Sequence, residues 1–344
     1  MFKGGIVDMW YSLNDLLSKN RILSFVIGNR GGGKTFNCQK WCIKDAIKNK
    51  DNEECKHKFI WLRRYETEIK QIKRNWCSLD LKNEFPGHEI TTKGNNIYVD
   101  NIQVGMMVAL STTQRLKSVD FHDYDKIVFD EFLIDKGSLR YISGEVDLYL
   151  EFFETVNRLS NRVRGVFVAN AISIVNPYFQ YFKIKPNIDQ KFTMNEHVAI
   201  ELYKDENFIN AKKQTKFGRL IDNTTYGDYA IDNKFLRDNY SLICERPKDH
   251  LIYSLTLIYN NSSYGVWLHL GKDKDSLYID DMVEPLCERA ITIDMEQLDE
   301  KCKFKDYDGL KPHIVQLKYM FNEGKINFNN IQTKKDFFEI VKVL

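Results

Sequence analysis

The 344-residue chain has no uninterrupted run of about 18 apolar residues, the least that a membrane-crossing helix needs. Met1 to Asn20 likewise lacks a charged segment followed by a continuous apolar one, so neither a span nor an export signal is expected, and a soluble intracellular protein is. Net charge is nearly absent: 50 Lys and Arg against 48 Asp and Glu leave +2. A global field therefore cannot draw in nucleic acid, and any grip must come from local basic patches. The seven cysteines, Cys38, Cys42, Cys55, Cys77, Cys244, Cys287 and Cys302, include no CxxC pair and no Cys/His spacing suited to zinc. They read as reduced, buried thiols. Internal repeats and low-complexity tracts are also missing.

What the chain does have is 43% hydrophobic and 13% aromatic residues, enough for a sizeable core in a length that fits one large domain and one smaller. Residues 22–28, Ile-Leu-Ser-Phe-Val-Ile-Gly, form a short apolar run stopped by glycine, the mark of a strand buried on both faces. Similar runs recur at 58–62, 104–110, 126–130 and 165–169 with longer amphipathic or polar segments between several of them, which predicts an open, mostly parallel α/β sheet. Tyr149, Phe152, Phe153, Val156 and Leu159 fall on one stripe of a helix expected over 147–159. From 209 to about 241 the chain turns polar and basic, which reads as a linker. After it, strands at 251–259, 264–270 and 276–280 and helices near 295–303, 312–322 and 333–343 predict an α+β unit. The expected division is 1–208, a linker at 209–242, and 243–344.

The strongest motif is Gly28-Asn29-Arg30-Gly31-Gly32-Gly33-Lys34-Thr35, a complete GxxxxGK[ST] between a predicted strand and a predicted helix. Glycines let backbone N–H groups curl around phosphate oxygens, Lys34 would neutralise the β- and γ-phosphates of ATP, and Thr35 would ligate Mg²⁺. The run Lys126-Ile-Val-Phe-Asp130-Glu131 supplies the second part. Asp130 is suited to hold Mg²⁺ opposite Thr35, and Glu131, the next residue, to act as general base on a water, which points to hydrolysis. Asn170, ending the run 165–169, lies where ligands bind in α/β sheets and could orient the water or sense the γ-phosphate. Helical spacing turns Arg158 away from the apolar stripe, so it is either an arginine finger for a neighbouring subunit or the partner of Glu154 in a surface salt bridge, with Arg162 and Arg164 as rival fingers. Lys70, Lys73 and Arg74 follow the second strand and either face DNA in a pore or lie on a solvated helix face.

Together Gly28–Thr35, Ile127–Glu131 and Arg158 through Asn170 resemble the additional-strand catalytic-glutamate P-loop ATPases, and within them the large-terminase packaging motors. The segments 59–65, 154–158, 170–179 and 215–222 resemble those of the DNA-packaging ATPases of small phi-twenty-nine-type bacteriophages. This resemblance implies an ATP- and Mg²⁺-dependent motor moving double-stranded DNA into a prohead. It further implies a ring, usually of five subunits, docked at the portal in the host cytoplasm, with a packaging RNA as partner and an RNase H-like C-terminal domain. Arg158 matches the family's trans-acting arginine, and Lys117 a basic position that also reaches across the interface. Nucleases of this class need clustered carboxylates for two metal ions. Here the first strand of the C-terminal domain runs into Asn260 and Asn261, and Asp280 and Asp281 have no evident partner, so a vestigial nuclease domain is expected. The alternatives are a helicase or DNA pump outside packaging, and a nucleotide-gated nucleic-acid-binding switch.

Overall fold

The computed structural model describes residues 10–344 apart from 53–55, 135–139, 188, 223, 225–226, 228–241, 260–261, 272–274, 285–288, 296–297, 299–301 and 306. Cys55, Cys287, Asn260, Asn261 and most of 223–241 thus lie outside the described residues. The chain forms two compact units, Met1–Arg237 and Asp238–Leu344.

The first unit is built on a nine-stranded sheet. Its strands, in chain order, are β1 (Leu23–Gly28), β2 (Lys58–Arg63), β3 (Ile90–Lys93), β4 (Asn96–Val99), β5 (Ile102–Ala109), β6 (Tyr124–Asp130), β7 (Arg164–Asn170), β8 (Phe192–Met194) and β9 (Val198–Tyr203). Their spatial order is β3-β4-β5-β2-β6-β7-β1-β9-β8, with the six from β5 to β9 parallel, two antiparallel pairings at one edge and one at the other. All six residues of β1 are buried because both faces are covered, which is why its sequence is continuously apolar. Phe25 turns to one face and stacks on Phe167 at 4.2 Å, while Val26 turns to the other and packs with Cys38 and Cys42.

Helix α1 (Asn14–Leu17) and helix α2 (Lys34–Lys48) cover that second face; α2 buries Cys38, Cys42 and Ala46, which are spaced four apart on one side. Helix α3 (Glu66–Ile72) and helix α4 (Leu79–Asn83) add Ile69 and Leu81 to the same core. Helix α5 (Glu145–Asn157) covers the first face with Val146, Tyr149, Phe152, Phe153 and Val156, each such burial contributing about 1.5–3 kcal/mol. The apolar stripe stops there. Leu159, expected on it, is 99% exposed, because the helix ends at Asn157 and Arg158 turns the chain with φ of 45°. Helix α6 (Pro177–Tyr181) begins where the Asn176 side chain accepts hydrogen bonds from the backbone N–H groups of Tyr178 and Phe179.

The stretch expected as linker begins instead with helix α7 (Glu206–Lys213) and helix α8 (Lys216–Ile221). Their caps, Asp205 and Thr215, accept from Phe208 N and Gly218 N, and Ile209 and Ile221 join the core of the first unit. Up to Ile221, the polar composition that suggested a linker belongs to the exposed faces of two short helices.

The second unit holds β10 (Leu251–Tyr259), β11 (Ser262–His269), β12 (Ser276–Asp280), β13 (Ala290–Thr292), β14 (Cys302–Phe304) and β15 (Ile326–Phe328) in the order β14-β13-β10-β11-β12-β15. The first three are antiparallel, and β13 and β14 add in parallel beside β10. Counting strands within the unit, its first five lie 3-2-1-4-5, the order of an RNase H-like sheet. Helices Lys311–Asn322 and Ile331–Val343 pack Leu317 and Phe337 against it. No helix forms at 302–303, where one was expected; Cys302 and Lys303 belong to β14, paired with β13.

Candidate nucleotide site

The phosphate-binding loop joins β1 to α2. Gly31 and Gly33 have φ of 82° and 83°, values that a side chain disfavours, and at Gly28 a Cβ would come within 2.4 Å of the Tyr203 carbonyl oxygen. Lys34 is 5% exposed, and its ammonium donates to the carbonyls of Gly28 at 3.0 Å and Asn29 at 2.6 Å and to the Asn170 side-chain oxygen at 3.5 Å. Burial pulls its pKa down to about 7, with Asp130 opposing the shift. Asn29 is buried, whereas Arg30 is exposed and its carbonyl accepts from Lys212 at 2.9 Å.

Strand β7 lies between β1 and β6, where the resemblance noted in the sequence implies an additional strand between phosphate loop and acidic pair. Asp130 ends β6 fully inside the protein and accepts from the Thr35 hydroxyl at 3.0 Å. Its carboxyl is pushed up by burial, against which the Arg63 guanidinium acts. Two hard oxygen groups in contact, one of them a carboxylate, suit Mg²⁺, which prefers one or two carboxylates and keeps several waters.

Arg63, ending β2, donates to Asp130 at 3.0 Å and to Glu131 at 2.6 Å, and lies 3.3 Å from Glu68. Glu131 itself has φ of 58°, a conformation costing on the order of 1–3 kcal/mol in a non-glycine residue, and its side chain is 58% exposed. Behind it, Arg64 is buried. Its guanidinium grips Glu145 at 2.7 and 2.9 Å and donates to the carbonyls of Phe132 at 2.6 Å and Glu131 at 3.4 Å. Tyr178 also donates to Glu145, at 2.9 Å. Sequence reasoning gave neither arginine a role. The only hint was two adjacent cations closing an apolar strand, a place where charge is costly unless paired.

The remaining expected residues are dispersed. Arg158 is exposed, and its guanidinium makes no hydrogen bond or ion pair among the described residues. It is not on a helical face with Glu154, since α5 has already ended. Of its rivals, Arg162 donates to the His122 carbonyl and Arg164 to those of Asn161 at 3.0 Å and Val163 at 3.2 Å. This loop stands at the start of β7, whereas Asn170 ends it, so Arg158 lies about 20 Å along the strand from the phosphate loop of its own chain. Lys117 is exposed and sits 3.7 Å from Glu151. Lys70 and Arg74 are exposed and Lys73 half-buried, away from the nucleotide loop on and after α3.

In the second unit Asp280 is 2% exposed and, contrary to expectation, fully engaged: it pairs with Arg246 and accepts from Trp267 Nε1 and Met282 N, both at 3.0 Å. Asp281 accepts from Asn329 at 2.9 Å. Among the described residues, the only His/Cys/Asp/Glu group close enough to share an ion is Asp45, His57 and Asp125 in the first unit, where Lys126 Nζ already stands 2.5 Å from both carboxylates.

Residues 7–343 match the family described as Podovirus DNA encapsidation protein (Gp16). The DNA packaging protein of Bacillus phage phi29 is 33% identical over 335 residues, covering 97% of this chain and 98% of that protein. That of Bacillus phage PZA is 32% identical with the same coverage. A chain of the bacteriophage phi29 viral genome packaging motor assembly superposes with a TM-score of 0.77 at 32% identity, over 97% of this chain and 99% of its own. The crystal structure of the N-terminal domain of the phi29 DNA packaging ATPase covers 58% of this chain at 36% identity with a TM-score of 0.53. With a phosphate-loop motif in the first unit and similarity along nearly its whole length, the chain belongs to the Podovirus Gp16 DNA encapsidation family.

Proposed function

We propose that this chain hydrolyses ATP to drive double-stranded DNA into a phage prohead. The observation that carries the reading is the meeting of Lys34, Thr35, Asp130 and Glu131 at the ends of β1 and β6, in a chain alike throughout its length to packaging proteins. Lys34 leaves its loop carbonyls for the β- and γ-phosphates. Thr35 and Asp130 would hold Mg²⁺, which when bound would neutralise charge developing on the phosphates. Glu131, released from Arg63, takes the proton of a water whose oxygen bonds to the γ-phosphorus as the bond to the bridging oxygen breaks. Asn170 orients that water or senses the phosphate.

Arg158 acts in trans. Its distance from its own nucleotide loop and its lack of a partner support that role, and Lys117 is the second candidate at such an interface. A homo-oligomeric ring, of five subunits by family resemblance, follows, with portal and packaging RNA as partners in the host cytoplasm. The second unit cuts no DNA in this reading, because Asp280 is held by Arg246 and Trp267. Lys70, Lys73 and Arg74 contact DNA phosphates.

The test is Glu131→Gln. Turnover should fall about 10²- to 10⁴-fold, measured as phosphate release, while binding of a fluorescent ATP analogue stays within a factor of three. Undiminished phosphate release would show that Glu131 is not the base, and negligible release by the unaltered protein would leave only a nucleotide-gated binding protein.

A further inference from the structure

The groups that would act on a terminal phosphate all lie to one side of β1. Strand β7, which ends in Asn170, and then β6, which ends in Asp130, flank β1 on that side, while β9 flanks it on the other. A nucleoside triphosphate whose γ-phosphate meets Glu131 therefore directs its sugar and base away from β6 and β7, to the β9 side. Two aromatic rings from distant parts of the chain stand there, against the glycines of the loop.

Trp10 abuts the loop where it becomes α2: a Cβ on Gly33 would come within 2.7 Å of its ring. Phe208, in the first turn of α7, faces Gly31, and a Cβ there would lie 3.8 Å from the ring tip. The two rings are 6.5 Å apart between centroids and inclined at 51°. Both are braced. Next to Trp10, Tyr11 donates its backbone N–H to the Gly32 carbonyl at 2.9 Å and its hydroxyl to Glu201, on β9, at 2.8 Å. Phe208 N donates to the Asp205 cap at 2.7 Å, and Lys212 stands 5.5 Å over the Phe208 ring while donating to the Arg30 carbonyl at 2.9 Å. Neither ring is sealed in a core, since Trp10 is 48% exposed and Phe208 half-buried. Rings held beside a phosphate loop and left open to solvent make a surface on which a flat group can stack.

We infer that Trp10 and Phe208 form the base subsite of the nucleotide site and stack a purine between them, so that the site selects purine over pyrimidine triphosphates. This rests on the reading of the loop as a triphosphate site. A flat ring between two others needs about 7 Å, twice the contact distance of carbon atoms, so the rings stand within about 1 Å of the required spacing. The remaining adjustment, a turn that brings the two planes parallel, falls to the exposed Trp10 side chain. Stacking reads the area of a base and not its hydrogen-bonding edge, and the two fused rings of a purine cover more of both aromatic faces than the single ring of a pyrimidine.

The experiment is calorimetric titration of the full chain with MgATP, MgCTP and magnesium tripolyphosphate, which carries the phosphates without a base. The unaltered protein should bind MgATP about tenfold more tightly than MgCTP. Trp10→Leu and Phe208→Leu keep apolar bulk but remove an aromatic face. Each should weaken MgATP about tenfold and narrow its advantage over MgCTP, with tripolyphosphate affinity unchanged within a factor of two. Trp10→Phe should keep most of the affinity for MgATP. If Phe208→Leu unfolds α7, the exposed Trp10 still carries the test. A preference for MgATP that survives the leucine substitutions overturns the subsite. So does an equal loss for MgATP and tripolyphosphate, which would mean that the rings only shape the loop. Failure of the triphosphate reading looks different: Lys34→Ala would then leave all three titrations unchanged, and the subsite would fall with it.

Discussion

Asp130 in the first unit and Asp280 in the second each end a buried strand and each face an arginine, but they are satisfied in different ways. Asp130 shares Arg63 with Glu131 and Glu68 and otherwise touches the Thr35 hydroxyl, a group that can give up its hydrogen bond to a metal ion. Asp280 is enclosed by Arg246, the Trp267 ring N–H and a backbone N–H, and the Arg246 guanidinium lies 4.2 Å above the Trp267 ring. A carboxylate that will work keeps exchangeable partners; one that supports a fold has permanent ones. Glu145, gripped by Arg64 and Tyr178, shows the permanent arrangement inside the first unit as well.

This contrast can be broken most severely at Arg64. Arg64→Ala leaves Glu145 buried without its counter-ion and should cost about 3–5 kcal/mol of stability in denaturant unfolding. A loss below about 1 kcal/mol would mean that the pair is as exchangeable as Arg63 and Asp130. Asparagine substitutions compare the two strand-ending aspartates directly. Asp280→Asn should destabilise the protein by about 1–3 kcal/mol, whereas Asp130→Asn should change stability by less than about 1 kcal/mol, because burial already disfavours the Asp130 charge. Equal losses at the two positions would erase the distinction. The smallest effect concerns Lys34, whose pKa of about 7 is set by burial. Below pH 7 the amine is already protonated when nucleotide arrives. Above it, binding must return a proton, so affinity for MgADP should fall by up to tenfold per pH unit. Calorimetry at pH 8 in two buffers of different ionisation enthalpy should show uptake of close to one proton. No uptake would place the ammonium among the permanently held charges.

The nucleotide loop, the acidic pair and the long central strands were legible because each is a local pattern: a glycine-rich turn between an apolar run and a helix, or six consecutive buried residues. Arg63 and Arg64 were not, since their meaning depends on Glu68, Asp130, Glu131 and Glu145, which the fold alone brings near. The strands of three residues, β8, β13, β14 and β15, carry too little sequence to show a period, and only their neighbours in the sheet make them strands. Leu159 was misplaced for a related reason. Its spacing continues the helical stripe, but the helix does not, and periodicity is blind to where a backbone turns.

The position of β7 has a mechanical consequence. It is hydrogen-bonded along both edges, to β1 with Gly28 opposite Asn170 and to β6 with Asp130 opposite Val168. A strand clamped on two sides resists sliding, so if Asn170 has the sensing role proposed above, its side chain or the residues after it must move. The strand is an anvil and not a lever. A displacement sensed there would pass into the chain beyond Asn170, where the Ile172 N–H folds back onto the Asn170 carbonyl at 2.8 Å and the path runs on to the capped start of α6.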